Sequence, residues 1–284
     1  MNKSACFRRV LIGGTCAWVL LLAVLPYLIL FGASFQERGT DTLVAPGLSP
    51  VNYLNLLSPA VFGMAADSIG LAAIAALLCL GMGYPFAYIL AQASPKAQPL
   101  LLLLVMLPFW TNSLIRTYAL VIMLKADGII NSLLLWMGLI NEPLQLMYTP
   151  LAVFIGLTYT LLPFMILPLY AALKAVDPRL LEAGRDLGAC RLQNFCRITV
   201  PLTVPGIIAG TMLVFLPALG MFYISDILGG ARSMLLGNYI RDQFLVFRDI
   251  PMGAAASVTM TLAMGLLLIL YYLSSRRSGK EMLQ

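Results

Sequence analysis

The side chains able to do chemistry in this chain gather in one place. Between Asp177 and Pro201 it reads Asp-Pro-Arg-Leu-Leu-Glu-Ala-Gly-Arg-Asp-Leu-Gly-Ala-Cys-Arg-Leu-Gln-Asn-Phe-Cys-Arg-Ile-Thr-Val-Pro, in a protein with only 11% charged residues. Glu182, Arg185 and Asp186 suit electrostatic docking, in which charges fix the orientation of a partner. Bond-making chemistry lacks its tools. There is no histidine, which excludes Ser-His-Asp, Cys-His and His-Glu-x-x-His arrangements and removes the commonest metal ligand. Cys6, Cys16, Cys79, Cys190 and Cys196 form no Cys-x-x-Cys pair, so neither a zinc site nor a disulfide framework is implied. No catalytic residue and no metal site is expected.

The elements that must hold this charged stretch are apolar. Hydrophobic residues make up 61% of the 284, whereas a soluble globule carries about 25% charged residues. A membrane-spanning helix needs roughly 20 apolar residues, and the long apolar runs suit helices better than the alternating strands of a barrel. The expectation is an all-α polytopic membrane protein, a single transmembrane domain over residues 1–284. Its six spans are placed at about residues 10–32, 67–91, 99–124, 147–173, 200–224 and 252–273. Residues 10–32 exceed the 7–15 residues of a signal-peptide core, so they are read as a retained first helix. Pro108, Pro163, Pro168, Pro205 and Pro217 fall within spans. They are compatible with helices kinked around a cavity and equally with ordinary membrane kinks.

Lys and Arg mark the orientation. Lys3, Arg8 and Arg9, Lys96, the basic residues of 174–197, and Arg276, Arg277 and Lys280 fall on one side of the six spans. The opposite side is richer in acids, including Glu37, Asp41, Asp67, Asp242 and Asp249. The positive-inside rule then makes both termini cytoplasmic in a bacterial inner membrane. It also accounts for the net charge of +6 through lipid contact, without a nucleic acid partner. No internal repeat is evident, and six helices are few for a complete transporter. A second membrane subunit is therefore expected.

Asp177-Pro178 is a good helix start, a capping Asp before a Pro at the first helical position, opening a short cytoplasmic helix at about residues 178–190. Leu180, Ala183, Gly184, Leu187 and Gly188 fall on one small face. The two glycines each cost about 1 kcal/mol against Ala in a helix interior. Close approach of another surface would offset that cost; a plain amphipathic loop on the membrane is the alternative.

Glu182-Ala183-Gly184, three residues, Gly188, nine residues, then Ile198-x-Val200-Pro201 resembles the EAA signature of permease subunits in binding-protein-dependent ATP-binding-cassette importers. The signature usually has Ala where Gly184 stands and Leu where Val200 stands. The resemblance implies the type I importer permease fold and a coupling helix that docks in a cleft of a cytoplasmic ATPase. Its functional positions here are Glu182, Ala183, Gly184, Gly188, Ile198 and Pro201, with Arg185 and Asp186 at the rim. The chain has no phosphate-binding loop of its own, because its one Gly-Lys pair, Gly279-Lys280, is followed by Glu281. It is expected to bind no cofactor directly, and ATP-Mg belongs to the partner ATPase.

Leu107-Pro-Phe-Trp-Thr-Asn-Ser-Leu-Ile-Arg116, Gly206-Ile-Ile-Ala-Gly210, Phe222-Tyr-Ile-Ser-Asp226 and Pro251-Met-Gly-Ala-Ala255 are similar to the spermidine/putrescine permeases of that family. This likeness implies a polyamine importer completed by a second permease, two copies of an ATPase and a periplasmic binding protein. A polycation with methylene spacers calls for carboxylates, carbonyls and aromatic faces. Asp226, with Phe222 and Tyr223, is the first candidate for its route; pairing of Asp226 with Arg116 or Arg232 is the competing role. Trp110, Asn112, Ser113 and Tyr159 are further candidates, against interhelical hydrogen bonding. Gly206 and Gly210 read as a close helix contact. A permease for another small solute, or a passive channel or scaffold that merely binds a soluble partner, are the alternatives.

Overall fold

The structure is a computed structural model that describes residues 3–39, 47–230 and 234–281, with side chains described at 11–39, 47–230, 234–271 and 273. Asp41, Pro46 and Arg232 lie outside the described residues. All regular elements among the described residues are helices. Among the described residues, six segments are long and apolar enough to cross a membrane: Leu11–Ser34, Pro59–Gln92, Ser113–Trp136, Pro150–Lys174, Arg191–Gly220 and Ile250–Tyr271. Backbone polar groups must be satisfied within the chain at that depth, which is why the apolar runs fold as helices. The chain divides into two compact units, residues 1–63 with 239–266, and residues 64–238 with 267–284.

In the first unit, α1 (Lys3–Ser34) leads to a short α2 (Val51–Leu56). Their junction is polar and specific. Ser34 Oγ lies 2.7 Å from Tyr53 Oη, and Asn52 Nδ2 donates to the carbonyls of Ser34 and Gln36. Further along the chain come α12 (Leu236–Leu245) and α13 (Ile250–Glu281). The turn between them is held by Arg38, which donates to the Phe247 carbonyl and lies 3.9 Å from Asp249, and by the Asp249 carboxylate, which caps the Met252 N–H. Burial raises the Tyr239 phenol above its ordinary pKa; a hydrogen bond with Gln243 opposes this and the Asp249 charge adds to it.

The second unit is built on α7 (Pro150–Lys174), whose span is more than half buried. Its main neighbour is α10 (Val200–Gly220). Gly206 and Gly210 make the approach close: a Cβ at 206 would meet Ala172 and the Pro168 carbonyl, and one at 210 the Met165 sulfur. The Gly-x-x-x-Gly spacing is thus a helix contact, as the sequence indicates. α3 (Pro59–Gln92) is tied to the lower part of α10 by Tyr84 Oη and Thr203 Oγ1, 2.8 Å apart and both buried.

Two breaks differ from a reading in continuous spans. The run placed at 99–124 divides into α4 (Gln98–Met106), a 3-10 turn (Leu107–Trp110) and α5 (Ser113–Leu124), followed by α6 (Ile129–Trp136). Thr111 is extended at the break, and Asn112 restarts the helix by accepting from the Leu114 N–H at 2.8 Å. The run placed at 200–224 ends at Gly220, and α11 (Phe222–Gly229) begins after a turn at Met221. Phe222, Tyr223 and Asp226 therefore sit on a separate short helix that packs on α5 and α7.

Candidate functional site

The charged stretch folds as α8 (Pro178–Asp186), α9 (Arg191–Asn194) and a π-helical segment (Phe195–Thr199) that runs into α10. Asp177 accepts from the Arg179 N–H at 2.9 Å, so the Asp-Pro start works as a cap. The end is fixed equally firmly. Gly188 adopts φ +85°, its N–H donates to the Arg185 carbonyl, and the Ala189 N–H donates back to Gly184. This is a Schellman termination, which needs a left-handed residue that glycine supplies without strain. Gly188 therefore stops the helix after Asp186, short of the 190 expected.

Gly184 is also used internally. It is buried, and a Cβ there would collide with Asn194 Oδ1 and come within 2.8 Å of Ile198 Cδ1. Asn194 is 5% exposed and its Nδ2 donates to the Leu181 carbonyl at 2.8 Å, clamping α9 onto α8. The close approach expected from another surface is made at Gly184 by the chain's own next turn. The outward face carries Glu182, Ala183 and Asp186, all exposed, with Leu187 at 89% exposure beyond them. Arg185, exposed as well, falls on the flank between Glu182 and Leu181, where it lines a cavity with Leu181. Ile198 is half-buried against Gly184, and Pro201 occupies the first turn of α10.

A path of contacts leads from this unit into the membrane. The π-helical segment bears Phe195, whose ring meets Tyr84 and Tyr88 edge-on at 5.6 and 5.4 Å. Thr203, one turn beyond, makes the bond to Tyr84. Single π-turns within helices are uncommon and cluster at functional sites. Asn194 and Phe195 were not singled out from the sequence, since nothing local distinguishes them; a paired view of Gly184 and its filler residue is the signal that finds them.

The other candidates fall into two groups. Asp226 is half-buried and accepts from Asn238 Nδ2 at 3.1 Å. Asn238 is 4% exposed, and its own Oδ1 is buried without a donor. Tyr223 Oη is likewise buried without a partner, and Phe222 packs against Gly237. Asn238 is the residue that sequence reasoning missed here. Together these groups offer a carboxylate, a carbonyl oxygen and a hydroxyl to N–H donors.

The second group surrounds Arg116. Its guanidinium carbon lies 5.1 Å from the Phe109 ring centre and 6.0 Å from that of Tyr159. Arg116 is 9% exposed, and Nε and Nη1 have no hydrogen-bond partner. Among the described residues the contacts of this cation are with two aromatic faces, which stabilise it. Tyr159 is engaged in this contact, Asn112 in capping, and Ser113 as the carbonyl acceptor for Thr117. Trp110 projects outward with 76% exposure.

Comparison with known proteins gives the family of the chain. The chain is 49% identical over 281 residues to the spermidine/putrescine transport system permease protein PotB of Salmonella typhimurium (strain SL1344), covering 99% of this chain and 98% of that one. Against PotB of Escherichia coli (strain K12) it is 51% identical over 264 residues, with 93% and 96% covered. The fold matches that in a crystal structure of a bacterial alginate ABC transporter in complex with alginate pentasaccharide-bound periplasmic protein, with TM-score 0.77, 20% identity, and 97% and 96% of the two chains covered. Residues 83–283 match the family model of the binding-protein-dependent transport system inner membrane component. This chain, a multi-pass protein of the bacterial inner membrane, belongs to that family of importer permeases.

Proposed function

We propose that the chain is one permease subunit of an ATP-driven polyamine importer, assembled with a second permease, two copies of a cytoplasmic ATPase and a periplasmic binding protein. The observation that carries this is the 49% identity with a spermidine/putrescine permease across almost the whole of both chains. The whole chain serves as one permease domain with both termini cytoplasmic, supported by the basic residues at both ends and around α8.

ATP is bound and hydrolysed on the partner. The work of this chain is mechanical. The exposed face of α8, with Glu182, Ala183 and Asp186, meets the ATPase, and Arg185 orients the contact from its flank. Because Gly184 is locked to Asn194 and Ile198, α8, α9 and the π-helical segment move together. Phe195 against Tyr84 and Tyr88, with Pro201 at the head of α10, carries the displacement into α3 and α10. The result is alternating access: a loaded binding protein docks outside, closure of the ATPase dimer opens the cavity outward, and hydrolysis resets it. On the outer side, Asp226 and the open carbonyl of Asn238 receive an ammonium group, with Phe222 and Tyr223 beside its methylene spacers. Trp110, Asn112, Ser113 and Tyr159 are further candidates for contact along this route.

The test is uptake of labelled spermidine by proteoliposomes containing all four kinds of subunit. ATP-dependent accumulation is expected. Uptake by this chain alone, without ATP, would refute the assignment.

A further inference from the structure

Two adjoining cavities of about 340 and 630 Å³ lie beneath α8. They share Tyr88 and Gln92 from the end of α3, Leu181 and Arg185 from α8, and Thr199. Lys174 opens onto the smaller and Arg191 onto the larger. No carboxylate is among the described lining residues, and none of these three cations is in an ion pair among the described residues. Glu182 and Asp186 are exposed on α8 and line neither cavity. Three cations, all exposed, around a concave, partly apolar space outnumber the one acid that flanks its lining, Asp177, whose carboxylate is engaged in capping α8, and leave a positive local potential.

We propose that this pair of cavities binds a phosphate group, presented by an anionic phospholipid of the inner leaflet. The inference rests on the cytoplasmic placement of α8 proposed above. Guanidinium groups match phosphate oxygens with paired N–H bonds, and Lys adds a point charge. The hydroxyls and amide of Tyr88, Thr199 and Gln92 supply neutral donors to the remaining oxygens. The lipid source follows from position. The smaller cavity is lined by Ala91 and Leu173, at the ends of two helices long and apolar enough to cross a membrane, where basic residues meet anionic headgroups. A bound headgroup ties Arg185 on the moving helix to the ends of α3 and α7. Lipid charge thereby sets the pose of α8 before the ATPase engages it.

The experiment is native mass spectrometry of the complete importer in detergent, titrated with phosphatidylglycerol, phosphatidylcholine, or soluble glycerol phosphate. Retention of phosphatidylglycerol over phosphatidylcholine is expected, reduced severalfold by Lys174→Gln with Arg191→Gln and restored by Lys174→Arg with Arg191→Lys. Equal retention of both lipids, or unchanged retention in the neutralised variant, would overturn the proposal. Displacement by glycerol phosphate at lipid concentration would overturn the lipid source. Loss of the ATPase from the neutralised variant, with lipid retained, would reassign the cavity to that partner. Thiol labelling of Cys190, which is exposed, reports the side of the membrane on its own. If Cys190 labels from outside, the topology is wrong; if it labels from inside without lipid selectivity, only this inference fails.

Discussion

Gly184 sits directly against Asn194, with no room for a Cβ between the α8 backbone and the Asn194 carboxamide. The two residues are ten positions apart on different helices, and their contact makes α8, α9 and the head of α10 one rigid piece. In the proposed coupling role, a helix that slid on its own support would dissipate the stroke, and the filled notch would prevent this.

Substitutions at 184 should separate two opposing effects. Gly184→Ala gains about 1 kcal/mol of helix propensity but displaces Asn194 and weakens its bond to Leu181, a loss of about 1 kcal/mol. Thermal stability and ATP-driven uptake are expected to stay close to the parent. Gly184→Val overpacks the contact by about 1–3 kcal/mol and should depress both, with Asn194→Ala on the same chain recovering part of the loss. Equal tolerance of Ala and Val would show that the notch is open.

Tyr84→Phe removes the hydroxyl that meets Thr203, leaving the Thr203 hydroxyl bonded to the Thr199 carbonyl. Such bonds between membrane helices contribute about 0.6–1.7 kcal/mol. A modest fall in unfolding midpoint is expected, together with a lower ratio of spermidine taken up to ATP hydrolysed. An unaltered ratio would remove this bond from the transmission path.

Asp226→Asn and Asn238→Leu should both raise the KM for spermidine uptake while the complex still assembles. A hydrogen bond to a charged group is worth about 1.5–3 kcal/mol, so Asp226→Asn should weaken uptake about tenfold or more. The Asn238 change is expected to be smaller, because it removes a neutral acceptor. Normal uptake kinetics in Asp226→Asn would take that residue out of the route.

Orientation is measurable through the cysteines. Cys190 is exposed at the N-cap of α9. In a Cys196→Ser background, a membrane-impermeant maleimide should label it in inside-out vesicles and not in intact spheroplasts. The reverse pattern would invert the topology.

The helical membrane architecture was legible in the sequence because lipid imposes one solution on a long apolar run. The cap at Asp177 was legible for a similar reason, since it is a local interaction. The breaks were less so. Trp110-Thr-Asn-Ser is polar enough to flag a disturbance, but only the extended Thr111 and the Asn112 cap turn it into a helix restart. Gly184 and Gly188 look alike in sequence and differ in fact, one a packing notch and the other a left-handed stop. Composition cannot say what fills a notch. Asn194 and Asn238 stayed hidden because their roles depend on residues ten or more positions away, Gly184 and Asp226.

The central claim is that α8 takes work from an ATPase through its exposed acidic face. It is tested most directly by Glu182→Lys in the reconstituted importer, with ATPase association and spermidine uptake measured on the same preparation. The account predicts a folded permease, paired with its second subunit, that loses ATPase association and ATP-driven uptake together. Full association and full uptake would contradict it.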